Sequence, residues 1–162
     1  MKEIIIVEKR SIAQKISSIF EGTFQKKKHS LEKEDLKIYF SSGHIFQLME
    51  KNKSWDLSSV ERILNQEIKK ETKEDSLRRD LKKVTERTKE IRIILATDYD
   101  NEGQVIGRDF LELINLEKAE IKRWKFSSLT KEELLATYKK LIPLSDTESM
   151  WLKGQARRKI DF

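Results

Sequence analysis

The chain has 162 residues, of which 38% are charged and 37% hydrophobic, and its 34 Lys and Arg exceed its 28 Asp and Glu. This length fits one domain with a core of its own, and the basic excess suits an anionic polymer as partner. Cysteine is absent and the two histidines lie far apart in sequence, so disulfides and thiolate zinc sites are excluded and any metal site has to use carboxylates. No apolar run has the length of a signal peptide core or a membrane span, so we expect a cytoplasmic protein without membrane contacts.

The amino-terminal part predicts a strand, a charged turn and a helix. Ile4 to Val7 is a β-branched run, typical of a strand buried on both faces of a parallel sheet. After the polar turn at 8–11, apolar residues recur at helical spacing over 12–20 until Gly22 ends the pattern. Because ligands of open α/β folds bind at the carboxyl edge of the sheet, Glu8 is predicted to lie at a ligand-binding edge.

The middle of the chain predicts a second strand and two helices. Residues 25–29 are basic and are interpreted as a solvated surface loop, with specific DNA contact as the alternative. Apolar residues alternate over 36–40, as in a strand, and a turn follows at 41–44. Between 58 and 90 the sequence is highly charged but carries a narrow apolar stripe, which predicts two amphipathic helices broken near Thr72.

The carboxyl-terminal half alternates strands and helices again. Ile91 to Ala96 predicts a buried strand, Gln104 to Ile114 a helix, and Ile121 to Phe126 an extended segment. Thr130 and Glu133 match a capping box that begins a further helix, which Pro143 ends. The side chains expected on its inward face are Leu134, Leu135, Tyr138 and Leu141. A second capping box is predicted at 145–148, ahead of a basic last helix.

Three acids follow the strand that ends at Ala96. Asp98, Asp100 and Glu102 are each separated by one residue, and Gly103 then leads into an apolar-periodic helix. In an extended chain, side chains two apart point the same way, so the three carboxylates could converge. Like charges this close repel one another, and the simplest compensation is a hard divalent cation with oxygen ligands, Mg²⁺ beside a phosphate. The alternative is a solvated acidic loop.

Glu8 is predicted at the same edge as these acids. A carboxylate near other carboxylates and a phosphate has its charged form disfavoured, so its pKa rises towards the range where it can donate and accept a proton. That property suits a general acid and base. A surface glutamate paired with Lys9 is the alternative.

Five blocks of sequence together resemble one family. They are Glu8 after its apolar strand, Ser42-Gly43-His44, residues 96–103, residues 123–130 and residues 154–161. In this order they resemble the amino-terminal Toprim domain of type IA DNA topoisomerases, most closely the archaeal and topoisomerase III-like members. The resemblance implies an α/β Toprim fold, a mostly parallel sheet of about four strands with helices on both faces. We expect the Toprim domain to span 1–143, and 144–162 to begin a helical DNA-binding domain that continues past the end of the chain.

The resemblance implies specific roles at the predicted edge. Glu8 matches the glutamate that protonates the departing 3′ oxygen during cleavage and takes the proton back on resealing. Lys9 matches a lysine near the scissile phosphate, where its charge would stabilise the phosphorane. Asp98 and Asp100 match direct Mg²⁺ ligands, with Glu102 second.

Four further positions match family residues near DNA. His44 matches a Gly-His turn beside bound single-stranded DNA, with a packed turn residue as the alternative. Arg123, Arg157 and Arg158 match basic positions along the DNA path, where phosphate contacts position the strand without reading its sequence.

The sequence departs from the family pattern at two loop positions, and it lacks the motif of the family's nucleophilic tyrosine. Many members have a proline near Arg10 and an arginine or aliphatic residue near Asn101, so loop geometry and charge at the metal could differ here. The family's nucleophilic tyrosine lies in a later domain, and the tyrosines at 39, 99 and 138 lack its motif. We therefore expect the chain to supply only part of an active site. Further topoisomerase domains, in the same or a separate chain, would complete it, and the whole enzyme would act on single-stranded DNA segments. We expect the protein to be associated with the nucleoid.

Two alternatives to a topoisomerase remain at this point. A stand-alone Toprim nuclease or primase-like phosphotransferase would use the same acids with water or a nucleotide as nucleophile. A non-catalytic nucleic-acid-binding module would carry the acids without using them.

Overall fold

The structure is a computed structural model, and it describes residues 1–41, 46–49, 69–72, 75–87, 90–114, 117 and 119–161. The strands are β1 Lys2–Val7, β2 Gln25–Lys26, β3 Ser30–Lys33, β4 Leu36–Phe40, β5 Phe46–Met49, β6 Lys69–Thr72, β7 Ile91–Leu95, β8 Ala119–Arg123 and β9 Ile142–Pro143. The helices are α1 Arg10–Ser17, α2 Asp75–Arg87, α3 Asn101–Leu111, α4 Lys131–Tyr138 and α5 Glu148–Asp161, with a 3₁₀ turn at Leu144–Thr147 before α5. None of the helices in these ranges is long and apolar enough to cross a bilayer.

A single large sheet forms the centre of the molecule. Its seven strands lie in the order β2-β3-β4-β1-β7-β8-β9. The four in the middle, β4, β1, β7 and β8, are parallel to one another. The outer strands β2, β3 and β9 are antiparallel, and β5 pairs with β6 in a separate antiparallel ribbon. The α/β class is confirmed and the centre of the sheet is parallel, but the sheet has seven strands where about four were predicted.

Helices cover both faces of this sheet, as expected for parallel strands that are apolar on both sides. On one face, Ile4 and Ile93 belong to a core cluster with residues of α2 and α3, among them Leu77 and Phe110. On the other face, alternate residues of the same strands, such as Ile5, pack with α1 and α4. Strand β1 is thus buried on both sides, and its end is held in a fixed position.

Several local predictions can be compared directly with these elements. The strands near 4–7, 36–40 and 91–96 and the helices that begin near 12, 75, 104 and 131 are confirmed. The predicted helix that reached Thr72 is wrong at its end, because 69–72 form strand β6; its earlier part and the turn at 42–44 lie outside the described residues.

Two predictions about helix ends and faces are also wrong. Leu135 is 39% exposed although it was predicted to face inward. The capping box predicted at 145–148 is replaced by the 3₁₀ turn, in which Thr147 donates its hydroxyl to Leu144 O. Both errors come from short segments in which local pattern alone does not fix the packing partner.

Candidate active site at the carboxyl edge of the sheet

Glu8 and the three predicted acidic metal ligands lie where three parallel strands end together. Pairing continues past the strand ends, because Ala96 N donates to Ile6 O at 2.8 Å and Trp124 N donates to Leu95 O at 2.9 Å. Glu8 follows β1 and Asp98 follows β7, on neighbouring strands in register. The sheet itself therefore brings the two segments together, as the sequence predicted.

The acidic loop 96–100 turns directly into helix α3. Asp100 is the N-cap of this helix, with an extended backbone, and its Oδ1 accepts a hydrogen bond from Gly103 N at 2.6 Å. Glu102 lies in the first helical turn. The extended backbone on which the three acids could converge therefore ends before Glu102. The loop curls before Glu102, and the helix then sets the direction of that side chain.

Gly103 allows a close approach between this helix and the loop. A Cβ built at Gly103 would lie 2.0 Å from Asp98 O, which no side chain can tolerate. The hydroxyl of Thr97 donates to Gly103 O at 2.6 Å and fastens the helix to the end of β7. Glycine is thus required here because the Asp98 backbone lies too close for a side chain, and not because of backbone conformation, since the φ of Gly103 is not positive.

Arg123 lies beneath the acidic loop and is fully buried. Its guanidinium donates to four backbone carbonyls: Leu95 O at 2.9 Å, Thr97 O at 2.7 Å, Asp98 O at 2.6 Å and Trp124 O at 3.2 Å. Its Nε donates to Gln104 Oε1 at 2.9 Å. Burial lowers the pKa of Arg123 to about 10, and the nearby Tyr99 and acidic side chains oppose this shift. Arg123 remains charged at neutral pH and holds the backbone of the loop.

Glu8 connects the end of β1 to this loop. Its Oε1 accepts a hydrogen bond from Asp98 N at 2.8 Å. Partial burial raises the pKa of Glu8 above its usual value; the Asp98 N–H opposes this, and the charges of Asp98, Asp100 and Glu102 add to the rise. Lys9, next in sequence, is exposed at the start of helix α1. The direction of the Glu8 shift is the one that a proton-donating carboxyl requires.

The acidic side chains offer oxygen ligands at an open site. Asp98, Asp100 and Glu102 are all exposed, and one oxygen of Asp100 is already used by the helix cap. Within the described ranges, no three acidic or histidine side chains converge closely enough to enclose a metal ion. Mg²⁺ commonly keeps several waters and binds through one or two carboxylates, so this donor set fits a hydrated Mg²⁺ and does not form a closed cage.

The other predicted DNA-binding residues lie in different surroundings. Arg158 forms a two-pronged ion pair with Asp109, which is 2% exposed, at 2.6 and 3.2 Å. Arg157 is exposed on α5, and His44 lies outside the described residues. Arg123, as shown above, is buried and directs its guanidinium into the protein, so its position does not favour direct phosphate contact.

Helix α5 packs tightly on the start of helix α3. A Cβ at Gly154 would lie 2.4 Å from Asn101 O and 2.5 Å from Val105 Cγ2. Arg108 donates to Glu148 at 2.7 Å and lies over the ring of Trp151. Helix α5 is therefore a direct neighbour of the residue that follows Asp100.

Sequence reasoning missed the buried polar residues that support the loop. Gln104 and Asp109 lie on helix α3 between apolar positions, and both are buried. A polar residue on the apolar face of a helix signals a buried partner, and these two pair with Arg123 and Arg158. The sequence alone does not show which arginine pairs with which residue.

Fold and site together define an α/β domain with carboxylates at the carboxyl edge of parallel strands. Residues 3–129 match the Toprim domain family, and the chain belongs to that family.

Its curated relatives are named topoisomerases. The chain is 34% identical to DNA topoisomerase 1 of Thermoplasma acidophilum, covering 98% of the chain and 22% of that protein. It is 29% identical to DNA topoisomerase 1 of Archaeoglobus fulgidus, covering 100% and 25%. It is 27% identical to DNA topoisomerase 3 of Staphylococcus haemolyticus, covering 100% and 24%. The chain spans about a quarter of the length of these relatives, and it is a Toprim domain related to those of DNA topoisomerases.

Proposed function

We propose that the chain supplies the acid/base and metal-binding part of a type IA DNA topoisomerase active site. The whole enzyme would cut one DNA strand through a 5′-phosphotyrosine, pass another strand through the gap and reseal the first. The observation that supports this best is the bond from Asp98 N to Glu8, which joins a carboxyl of raised pKa to the acidic loop.

Glu8 is the proposed proton carrier. When the tyrosine oxygen attacks phosphorus and the bond from phosphorus to the 3′ oxygen breaks, the Glu8 carboxyl donates its proton to that oxygen. In resealing, the carboxylate takes the proton from the 3′ hydroxyl as this oxygen attacks phosphorus and the tyrosine leaves. Proton transfer of this kind contributes roughly 10²–10⁴ in rate.

Asp98 and Asp100 are the proposed Mg²⁺ ligands, with Glu102 second. Bound Mg²⁺ would neutralise charge on the phosphate. The protein contributes a prearranged loop, because Arg123 fixes its carbonyls and Asp100 is held at the helix cap. Lys9 would place a positive charge near the phosphate.

The remaining roles concern DNA and the rest of the enzyme. Further domains, in the same or another chain, would carry the tyrosine, and residues 144–162 would begin the first of them after a Toprim domain of 1–143. We propose His44 and Arg157 as contacts to single-stranded DNA. Arg123 is buried, so it would act indirectly by holding the acidic loop. Arg158 is paired with Asp109, so it would act indirectly by holding helix α5 in place.

Thermal unfolding with and without Mg²⁺ tests the metal part of this proposal. Mg²⁺ should raise the melting temperature, because a ligand that binds only the folded state stabilises it. Asp98→Asn should remove most of the rise, whereas Glu120→Gln, at the amino end of β8, should retain it. An equal rise in both variants would contradict the proposed site.

Activity assays separate the topoisomerase from its alternatives. The chain alone should not cut DNA, whereas a chimera that replaces the matching segment of the Thermoplasma acidophilum topoisomerase should relax negatively supercoiled plasmid. Glu8→Gln in this chimera should lower the rate by about 10²–10⁴. Metal-dependent cutting by the chain alone, abolished by Asp98→Ala, would instead show a stand-alone nuclease.

A further inference from the structure

A cavity of about 460 Å³ opens beside the acidic loop. One wall is formed by Tyr99 and by Lys125 and Phe126, which follow β8. Another part of the lining comes from helix α4, through Glu133 and Thr137, and from Lys140 just past its end. Its volume lies within the range of small-molecule sites, roughly 300–1,000 Å³. None of these residues except Tyr99 belongs to the acidic loop.

The cavity adjoins the proposed cleavage site. Strand β8 is parallel to β7, so the residues that follow β8 emerge at the same carboxyl edge as the acidic loop. Tyr99 stands between Asp98 and Asp100 in sequence and also lines the cavity. A DNA strand held at the proposed metal ligands would therefore lie next to this cavity.

The lining combines aromatic and positively charged groups. The rings of Tyr99 and Phe126 are partly exposed, and Phe126 is held edge-on by Trp124 with centroids 5.7 Å apart. Lys125 and Lys140 are exposed at the rim, and Lys125 Nζ lies 5.0 Å from the Tyr99 ring centroid.

Glu133 is the acidic residue of the lining, and its carboxylate is hydrogen-bonded to Ser127. Glu133 Oε1 accepts from Ser127 N at 3.3 Å and from Ser127 Oγ at 3.1 Å, which places it at the start of helix α4. The two lysines thus exceed the single acid, and the charge of the lining complements a phosphate group.

We propose that this cavity binds one unstacked nucleotide of a single DNA strand, with its base against Phe126 and Tyr99 and its phosphates near Lys125 and Lys140. Stacking on aromatic rings combined with cationic contacts to the backbone is the usual basis of sequence-independent binding of single strands. The inference rests on the proposed function, because that function brings a single strand to the acidic loop. It adds a subsite that no predicted site residue belongs to.

Two neighbouring lysines allow a matched test. Lys139 and Lys140 are both exposed at the carboxyl end of α4, so charge reversal at either has the same effect on net charge and a similar effect on the helix. Of these two lysines, Lys140 lines the cavity and Lys139 does not. Binding of a fluorescein-labelled dT oligonucleotide is measured with EDTA present, so that Mg²⁺ binding does not contribute.

Lys140→Glu should weaken binding about tenfold and make the salt slope shallower by about 0.7, the loss of one phosphate contact to a single strand. Lys139→Glu should change affinity less than twofold. Equal losses in the two variants would show attraction by overall charge and would overturn the subsite.

Photocrosslinking locates the base directly. An oligonucleotide with one 5-iodouracil should crosslink to Tyr99 or Phe126, and Phe126→Leu should reduce the yield at least fivefold while thermal unfolding confirms that the variant is folded. Crosslinks confined to other residues would overturn the proposal, and so would failure of the wild-type chain to bind. Neither result bears on the Mg²⁺-dependent stability or the chimera activity that test the proposed function.

Discussion

Two turns at the carboxyl edge have the same outline but different support. After β1, the chain passes through Glu8 and Lys9 into helix α1, whose N-cap residue makes no side-chain hydrogen bond. After β7, the chain passes through Asp98 into helix α3, whose N-cap Asp100 holds Gly103 N. Beneath the second turn, Arg123 donates to the carbonyls of Leu95, Thr97 and Asp98, and no corresponding buried arginine is described beneath the first.

The difference matches the roles proposed for the two turns. A metal ligand has to be held in place, since ligand geometry decides whether an ion binds. A proton carrier has to reach a substrate atom, and Glu8, which is proposed for that role, is held at the edge by a hydrogen bond from Asp98 N. We therefore expect changes under the second turn to cost much more stability than changes in the first.

The largest effect should come from Gly103→Ala. The new Cβ would lie 2.0 Å from Asp98 O and 2.8 Å from its carbon, and backbone cannot yield as a side chain does. We expect a loss of about 3 kcal/mol or more in the free energy of unfolding, measured by urea denaturation. Gly107→Ala on the same helix is the control, because its Cβ would meet mainly side-chain atoms at 3.1 Å and beyond. A similar loss at both positions would mean that the close contact with the loop is unimportant.

Next should come Arg123→Met, which leaves buried carbonyls without a donor. Each buried polar group that loses its partner costs about 1–3 kcal/mol, so a loss of about 3 kcal/mol in unfolding free energy is expected. The Mg²⁺-induced rise in melting temperature should also shrink, because the loop loses its support.

The first turn contains a matched control for this change. Arg10 is exposed and lies over the Phe40 ring, and its hydrogen bonds to the described residues Lys27 and Lys28, through their carbonyl oxygens, are long at 3.3 and 3.4 Å. Arg10→Met should cost less than about 1 kcal/mol and leave the Mg²⁺ effect intact. Equal losses from the two arginine substitutions would contradict the contrast between the turns.

Much of this contrast was not predictable from sequence. The β-branched run at 4–7 and the alternation of strands and helices predicted the parallel centre, because such runs are buried on both faces. The edge strands β2 and β9 have two residues each, too short for any periodic pattern. Arg123 was assigned to DNA because a motif match does not reveal burial. Its carbonyl partners come from two strand ends that only the fold brings together.

Asp100 combines two tasks that substitutions can separate. Asp100→Ala removes the cap of helix α3 and should cost about 1 kcal/mol. Asp100→Asn keeps a capping oxygen and should leave stability within about 0.5 kcal/mol, but it removes a charge from the proposed metal site. Urea denaturation measures the first effect and the Mg²⁺-induced shift in melting temperature the second. If Asp100→Asn kept the full Mg²⁺ shift, Asp100 would have only its capping task.

The smallest effect should be the pH dependence of Glu8→Gln. The folded-state pKa of Glu8 is raised above its usual value by burial and by the neighbouring acids. Between the unfolded and folded pKa values the folded state binds more protons than the unfolded state, so its stability falls as pH rises through that window.

Glutamine at position 8 can still accept a hydrogen bond from Asp98 N and carries no charge. The variant should therefore match the wild type near pH 4 and melt higher at pH 7, by on the order of one degree after solvent screening. Melting curves across this pH range, without Mg²⁺, measure the difference. A variant that is less stable than the wild type at pH 7 would show that the Glu8 charge stabilises the first turn, and the proton-carrier role would lose its electrostatic basis.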